Sequence, residues 1–236
     1  MLEPRPALRD PELVSDGGGL PFAPASLAGS VAPLDPEDRA VEALMAQIRR
    51  SAAKNASRAS SNPEAAAPSL DGWRLLARAD DEVLFGRGRP PQLLTVSVRK
   101  DGPRGAWICA GASAARPLRA TRDGIRASGW RPDLSREFNP EEAVLRVLIT
   151  EQTWAGGQRA DRRLLAPDLH ASDEDLMLTM FVTPRGGFQV RSPNPVTPAR
   201  IVLPHPVGPR RLIDGARYNP ESPDVLPTRE VLTDSL

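Results

Sequence analysis

The stretch that decides the fold is Leu93-Leu94-Thr95-Val96-Ser97-Val98-Arg99. Apolar and polar side chains alternate along it, which is the period-two pattern of a half-buried β-strand. Asp101-Gly102 follows, a dipeptide typical of hairpin turns, and Ala106-Trp107-Ile108-Cys109 supplies an apolar return strand. The sequence therefore predicts a β-hairpin near the middle of the chain.

Further strands are predicted on both sides of this hairpin. Apolar runs lie at 143–150 and 176–183, and the second run ends at Pro184 and the Gly186-Gly187 turn. Shorter candidate strands lie at 73–77, 82–85, 200–203 and 211–213. Short strands separated by glycine and proline turns are typical of a sandwich or a partly closed barrel. We therefore expect a mainly-β central domain of one of these two kinds.

The aromatic residues indicate where this domain begins and ends. Phe22 is the only one before Trp73, and the last one along the chain is Tyr218. Aromatic rings supply the largest area per residue to a hydrophobic core. We therefore place the folded domain at 71–218, and we expect 1–70 and 219–236 to form extended arms on either side of it.

One amphipathic helix is predicted within the first arm, at about residues 36–53. Asp35 is a good N-cap, and Pro36 suits the first helical position. The apolar residues that follow at spacings of three and four form one stripe, which consists of Val41, Leu44, Met45 and Ile48. From 51 to 69 the chain is rich in alanine, serine and asparagine, a composition that predicts a flexible linker.

The apolar stripe of this helix has two interpretations. The helix packs on the β-domain of its own chain, or it docks in the groove of a partner protein. The proline-rich flanking segments favour a tethered docking element. The predicted partner-docking residues are therefore Val41, Leu44, Met45 and Ile48.

Composition limits the class of protein. The 236 residues include 26 prolines and 18 glycines, too many helix breakers for a helical bundle or a coiled coil. The formal charge is +1, so no global field attracts nucleic acid or an anionic membrane. Cys109 is the single cysteine, which excludes a disulfide within the chain. Without a signal-peptide pattern or an apolar run of membrane-spanning length, we expect a cytoplasmic protein.

A series of short motifs runs along the central domain. In chain order they are DGW at 71–73, GAW at 105–107, the tryptophan at 130, EQTWAGG at 151–157, GGFQVRSPNP at 186–195 and GPRRLIDG at 208–215. The series resembles a domain of uncharacterised actinobacterial exported proteins and lipoproteins, in which E-x-x-C-A-x-G precedes G-G-x-x-C-x-G-N-P and G-x-R-x-L-x-D-G. The resemblance covers the central domain and neither arm.

Two positions depart from this pattern. Trp154 and Arg191 stand where the resembling domain has its cysteines. If those cysteines form a bridge there, the resemblance implies that packing replaces it here, with an arginine over an indole face. The resemblance brings no assigned activity, and therefore no catalytic residue.

Few residues offer enzyme or metal chemistry. His170 lies between Asp168 and the acidic run Asp173-Glu174-Asp175, a composition that suits an oxygen-and-nitrogen metal site. A helix start or a solvated loop capped by Ser172 is the favoured alternative. His205 lies between two prolines in a surface turn, and Cys109 is interpreted as a small buried hydrophobe. We predict no catalytic residue, no metal and no cofactor.

A nucleic-acid platform is the next candidate. Six arginines surround Trp130 in the sequence, namely Arg116, Arg119, Arg122, Arg126, Arg131 and Arg136. Arginines around an exposed aromatic ring can stack and pair with single strands. Interleaved acidic residues and the near-neutral chain favour a solvated strand face instead, so we predict no nucleic-acid partner.

These observations favour a non-enzymatic structural or interaction component of a larger assembly, which docks through its arms. A minor or decorating protein of a phage or phage-like particle is the specific form of this hypothesis. The alternative is a small ligand-binding or glycan-binding β-module of an actinobacterial cell, which requires Trp130 or Trp154 to be exposed. In the favoured hypothesis these two tryptophans, with Trp73 and Trp107, belong to the core. The partner's identity and the oligomeric state stay open.

Overall fold

The computed structural model describes residues 1–28, 32–58, 67–102, 105–152, 155–187, 192–219 and 225–226, with the backbone alone for 55–58. The fold is mainly β, as predicted. The strands, in chain order, are β1 (Arg5–Pro6), β2 (Leu13–Ser15), β3 (Trp73–Arg78), β4 (Glu82–Arg87), β5 (Leu94–Asp101), β6 (Ala106–Ala114), β7 (Arg119–Arg122), β8 (Ile125–Arg126), β9 (Gly129–Pro132), β10 (Val144–Thr150), β11 (Asp168–Ala171), β12 (Asp175–Thr179), β13 (Thr197–Val202) and β14 (Arg211–Asp214). Helix α1 spans Arg39–Arg58, and a 3-10 turn spans Pro24–Leu27.

The chain divides into two compact units, where the sequence predicted one domain at 71–218. Unit 1 consists of Met1–Val14 and Leu118–Leu236, and unit 2 consists of Ser15–Pro117. The expected first arm is therefore split, because its first fourteen residues belong to one unit and the rest to the other. Aromatic counting could not find this division, since both units contain aromatic core residues.

Unit 2 is built on one antiparallel sheet with the order β3-β4-β5-β6. The predicted hairpin is the pair β5–β6, in which Lys100 lies opposite Trp107 and Leu94 lies opposite Ala114. A bulge shifts the register between Ser97 and Val98. Because side chains alternate between the two faces of a strand, this bulge changes which β6 residues share a face with Val98.

Helix α1 covers one face of this sheet. Its N-terminus is capped by Asp38, whose carboxylate accepts a hydrogen bond from the amide of Ala40 at 2.8 Å. The helix begins three residues later than predicted and continues to Arg58, so part of the predicted linker is helical. Positions 59–66 of that linker lie outside the described residues. Alanine is the strongest helix former, which accounts for the extension through the alanine-containing stretch.

The apolar face of α1 packs against the sheet of its own unit. Val41 and Leu44 are buried in a cluster with the residues Ala40, Trp73, Val83, Phe85, Val96 and Val98. Ile48, Trp107 and Cys109 pack partly buried around it. The hydrophobic effect favours this arrangement because it removes the stripe and one sheet face from water together.

The opposite face of the same sheet is covered by residues 15–28. The Asp16 carboxylate accepts hydrogen bonds from the Thr95 hydroxyl and from the amide of Gly18. Gly19 lies so close to Leu84 that a Cβ would meet its side chain at 2.8 Å. Glycine is therefore required here for the close approach of the backbone. The stretch expected to be an extended arm is thus part of unit 2.

Unit 1 contains three small sheets, with the orders β1-β11-β12-β14, β13-β10-β9 and β2-β7-β8. The first is mixed, since β1 and β14 pair in parallel with their neighbours while β11 and β12 are antiparallel. Among the described residues each sheet is open, so the partly closed barrel is not the arrangement found. The main core lies among residues of β9 to β14, including Trp130, Leu145, Ile149, Leu178 and Ile201.

Two motifs of the sequence, EQTWAGG and GGFQVRSPNP, meet around one largely buried ion pair. Arg163 donates to both oxygens of Glu151 at 2.7 and 2.6 Å, and Glu151 opens the EQTWAGG motif. Asn194 of the later motif donates to the carbonyl of Glu151 at 3.1 Å and accepts from the amide of Ala155. The hydrogen bond to Glu151 also raises the pKa of Arg163. These contacts hold the two motifs together.

Replacement of Leu44 tests whether the helix stripe is core. We expect Leu44→Ala to lower the free energy of unfolding of unit 2 by about 2–5 kcal/mol, because it leaves a cavity between α1 and the sheet. Urea unfolding measures the change, and amide exchange assigns it to unit 2. The matched control is Arg49→Ala on the exposed side of the helix, expected to change stability by less than about 0.5 kcal/mol. Equal effects of the two variants would contradict the packing described above.

Candidate functional site: the N-terminal arm on unit 1

Residues 1–14, called the arm from here on, lie along the strand edges of unit 1. The amide of Leu2 donates to the carbonyl of Arg200, and the amide of Val202 donates to Leu2, both at 2.9 Å. Further along, the amides of Arg5 and Ala7 donate to the carbonyls of 167 and 169 at 2.9 Å. The arm is therefore bound largely through its backbone, in the manner of a strand added to a sheet edge.

Both edges of the sheet β1-β11-β12-β14 are made by the terminal segments of the chain. β1 pairs with β11 at one edge, with Arg5 opposite Asp168. At the other edge, Val225 forms a bridge with Ile213 of β14, and the amide of Leu226 donates to Leu212. Unpaired strand edges bind other strands readily, so these segments satisfy backbone groups that would otherwise be exposed.

Asp168 is the main polar anchor of the arm. Its carboxylate accepts hydrogen bonds from Arg5 of the arm and from Arg122 of β7, the latter at 2.6 Å. The Asp168 and Arg122 side chains are 16% and 12% exposed, whereas Arg5 is 53% exposed. The Arg122 guanidinium also lies 4.2 Å from the centre of the Phe181 ring. The Asp168 carboxylate and the Phe181 ring thus hold the Arg122 guanidinium in place. Arg5 of the arm binds the same carboxylate.

A second, weaker ion pair lies further along the arm. Asp175, at the start of β12, is buried and accepts from Arg211 at 2.7 Å. Arg9 of the arm lies 3.8 Å from the other oxygen of the same carboxylate. Hydrogen bonds to their carboxylates raise the pKa of Arg211 and of Arg5 above the ordinary arginine value. Because Arg9 is largely exposed, its contact contributes little to stability.

Between the arm and the sheet lies a cavity of about 600 Å³, called the arm groove. Its walls include His170, Met177, Thr179 and Phe181. The arm does not fill this space, since Leu8 is 75% exposed to solvent. Weak side-chain packing and an exposed backbone are the marks of an element that opens locally at low cost.

The predicted docking residues lie in unit 2, where they pack against the sheet. Val41 and Leu44 are buried against the sheet of unit 2, and Met45 and Ile48 are partly buried. The prediction that this stripe is open to a partner is therefore wrong, because the chain's own sheet covers it. The sequence left this alternative open, and only the packing of α1 on β4 and β5 decides it.

Trp130 and two of the arginines considered with it, Arg119 and Arg122, are turned inward. Trp130 is 5% exposed, and its Nε1 donates to the carbonyl of Leu178 at 2.8 Å. Trp73 is buried and Trp107 is half-buried, while Trp154 and Arg191 lie outside the described residues. Arg119 is buried, so the expected solvated face is wrong for it and for Arg122.

The histidine and cysteine candidates are not brought together. His170 lies on β11 opposite Met177, where the sequence predicted a helix start or a solvated loop, and His205 is exposed. Ser172 accepts from the amide of Asp175 at 3.0 Å, in the turn between β11 and β12. Cys109 is half-buried beside the α1 cluster. Across the described ranges, no three histidine, cysteine or acidic side chains are grouped to hold a metal ion.

Sequence reasoning missed the arm as a strand-forming element. Arg5 and Asp168 are 163 residues apart, and no local pattern links them. Four prolines in the first 21 residues indicate an irregular segment, and β1 is only two residues long. The one available signal was the pair of arginines four residues apart, Arg5 and Arg9, which meet the half-buried Asp168 of β11 and the buried Asp175 of β12.

Comparison with known proteins yields no relative. No family model matches the chain, and no curated protein or solved structure matches it. The resemblance to an actinobacterial exported domain therefore stays a prediction. Within the described part of the chain, no helix has the length and hydropathy needed to cross a membrane.

Loss of the Asp168 carboxylate is expected to loosen the arm. We expect Asp168→Asn to speed exchange of the Arg5 and Ala7 amide protons about tenfold, because a charge-assisted pair becomes a weaker neutral one. Hydrogen exchange followed by mass spectrometry measures the rate for peptides within 1–14. Asp173→Asn, in the exposed β11–β12 turn, is the control and is expected to leave these rates unchanged. An unaltered rate in Asp168→Asn would show that the pair does not hold the arm.

Proposed function

We propose that this protein is a non-enzymatic structural component of a larger assembly, and that it links to its neighbours by exchanging the arm with a second copy of the chain. The observation that carries the proposal is the position of the arm, which forms a sheet edge of unit 1 although the rest of that unit begins at Leu118. A strand contributed from so far along the chain makes the same contacts whether it comes from its own copy or from a neighbour.

The energetics of the arm also favour exchange. Its backbone hydrogen bonds and its ion pairs with Asp168 and Asp175 are recovered in full when one arm replaces another. The exposed Leu8 and the incompletely filled arm groove mean that the middle of the arm packs loosely, whereas Leu2 and Val14 near its two ends are packed more closely. Domain swapping of an identical element is a low-cost route to assembly for this reason.

A minor or decorating protein of a phage or phage-like particle is the specific form of this proposal. In a particle made of repeated copies, exchanged arms would join identical neighbours without a new interface. The apolar stripe of α1 has no docking role here, because it packs on the sheet of unit 2.

The alternative function, a small ligand-binding or glycan-binding module, is less well supported in its aromatic form. A sugar platform needs an exposed ring, and the Trp130 ring lies in the core with its Nε1 bonded to Leu178. Trp154 is outside the described residues. No feature of the described residues favours a glycan-binding module over an assembly component that exchanges its arm.

Cysteine trapping tests the exchange in the full chain. Two variants are made in a Cys109→Ser background, one carrying Arg5→Cys and an isotope label, the other carrying Asp168→Cys. These positions are register partners in β1 and β11, a separation that a disulfide can span. When the variants are mixed and oxidised, we expect a covalent dimer whose mass contains one labelled and one unlabelled chain.

Two controls separate exchange from chance collision. A chain carrying both substitutions must form the bridge within itself, which shows that the geometry permits it. Arg5→Cys mixed with His205→Cys, an exposed turn position, sets the background of random dimers. If the double variant bridges internally while the mixture gives no mixed dimer above this background, arm exchange is excluded.

A further inference from the structure

A second cavity of unit 1 is lined by arginines. It is a groove of about 610 Å³ on the outer face of the sheet β13-β10-β9, within the size range of small-molecule sites. Four arginines and two aspartates line it, namely Arg136, Arg146, Arg162, Arg200, Asp133 and Asp161. This cavity, called the arginine groove from here on, is distinct from the arm groove, although Met1 and Leu2 of the arm also line it.

Two of these arginines are direct cross-strand neighbours. Arg146 of β10 is the register partner of Arg200 of β13, so their side chains leave the same face of the sheet about 5 Å apart at Cβ. Like charges in this position destabilise a sheet. Arg146 has a partial partner in Glu142 at 3.5 Å, whereas Arg200 forms no ion pair with any described residue.

The two aspartates of the lining offset part of this positive charge, and each also has a partner of its own. The Asp133 carboxylate accepts from the hydroxyl and the amide of Ser135 at 2.7 and 3.1 Å. These bonds lower the pKa of Asp133, with smaller contributions from Arg131 and Arg136. Asp161 pairs with Arg159 at 3.4 Å, outside the groove lining.

The remaining cationic side chains are open to solvent. Arg136, Arg162 and Arg200 are exposed, and in the described parts of the chain they make no ion pair within 4 Å. Guanidinium groups pair with phosphate through two parallel hydrogen bonds, which an ammonium group cannot do. An anion seated between Arg146 and Arg200 would replace their repulsion by two attractive contacts.

From this geometry we propose that the arginine groove is a binding site for a small ligand bearing several phosphate groups. The lining carries four guanidinium groups against two carboxylates, and the arginines are spread over a groove of about 610 Å³, which suits a chain of phosphates better than a single oxyanion. The cross-strand pair Arg146 and Arg200 binds the phosphates at the floor, and Arg136 and Arg162 close on them from the rim. The source of the phosphate chain is either an inorganic polyphosphate or a nucleoside triphosphate.

Calorimetric titration of the full chain with inorganic tripolyphosphate at physiological ionic strength tests the site. We expect saturable binding with one ligand per chain, and an affinity about tenfold or more weaker in Arg146→Gln/Arg200→Gln, because two charged contacts are lost. Arg99→Gln, an exposed strand arginine of unit 2, is the matched control and leaves the affinity unchanged. Citrate is the comparison ligand and is expected to bind more weakly, since it carries no phosphate.

A thermal melt without ligand keeps the result separate from unfolding. The double variant is expected to melt no lower than the parent, because the repulsion between cross-strand arginines is removed. ATP that binds more tightly than tripolyphosphate identifies a nucleotide as the source, and equal affinity identifies the phosphate chain alone. No saturable binding, equal binding of citrate, or an equal loss of affinity in Arg99→Gln overturns the proposal.

Discussion

Burial of both faces of the β4–β5 strand pair is the constraint on which unit 2 depends. Leu84 and Phe85 are adjacent in sequence and point to opposite faces, yet both are fully buried. A sheet buried on both sides needs two covering layers, and the chain supplies both from the segment that precedes it. Residues 15–28 take one face and α1 takes the other. The sheet of unit 2 therefore covers the apolar stripe of α1, and the stripe is not available to a partner protein.

Unit 1 meets a related constraint at its edges. In its sheet β1-β11-β12-β14, the outer backbone groups of β11 are paired with β1 of the arm, and those of β14 with the segment at Val225. The polar anchors Asp168 and Asp175 fix where the arm crosses. Each edge is paired with a segment that is distant in sequence, not with the next strand along the chain. Such a segment can come from the same copy of the chain or from another copy. The proposed exchange of the arm rests on this property.

The two charged regions of unit 1 differ in how their charge is balanced. Along the arm, the carboxylates of Asp168 and Asp175 each lie between two arginines, so these charges are matched within the protein. At the arginine groove, the carboxylates are bonded to Ser135 and Arg159, and guanidinium groups are left without acidic partners among the described residues. Ion pairs whose charges are balanced within the protein stabilise the fold. A groove with an excess of cationic side chains is suited to binding an anion from outside.

Sequence patterns succeeded where the determinants are local. The alternation in β5, the turn at Asp101-Gly102 and the capped start of α1 depend on residues within a few positions of one another, and each was predicted close to its place. The strands of the 119–132 region were missed, because their arginines and glycines lack alternating hydrophobicity. There, burial comes from tertiary contacts such as that of Arg122 with Phe181.

The sequence by itself determined a mainly-β chain with one amphipathic helix, because period-two and period-three-to-four patterns report how each segment meets a core. It also placed Trp73 and Trp130 in that core. Only the tertiary structure decided which surface covers the helix, that residues 1–14 join unit 1, and that Arg146 faces Arg200. The physical reason is that these outcomes depend on pairings between residues tens to more than a hundred positions apart, which no local pattern encodes.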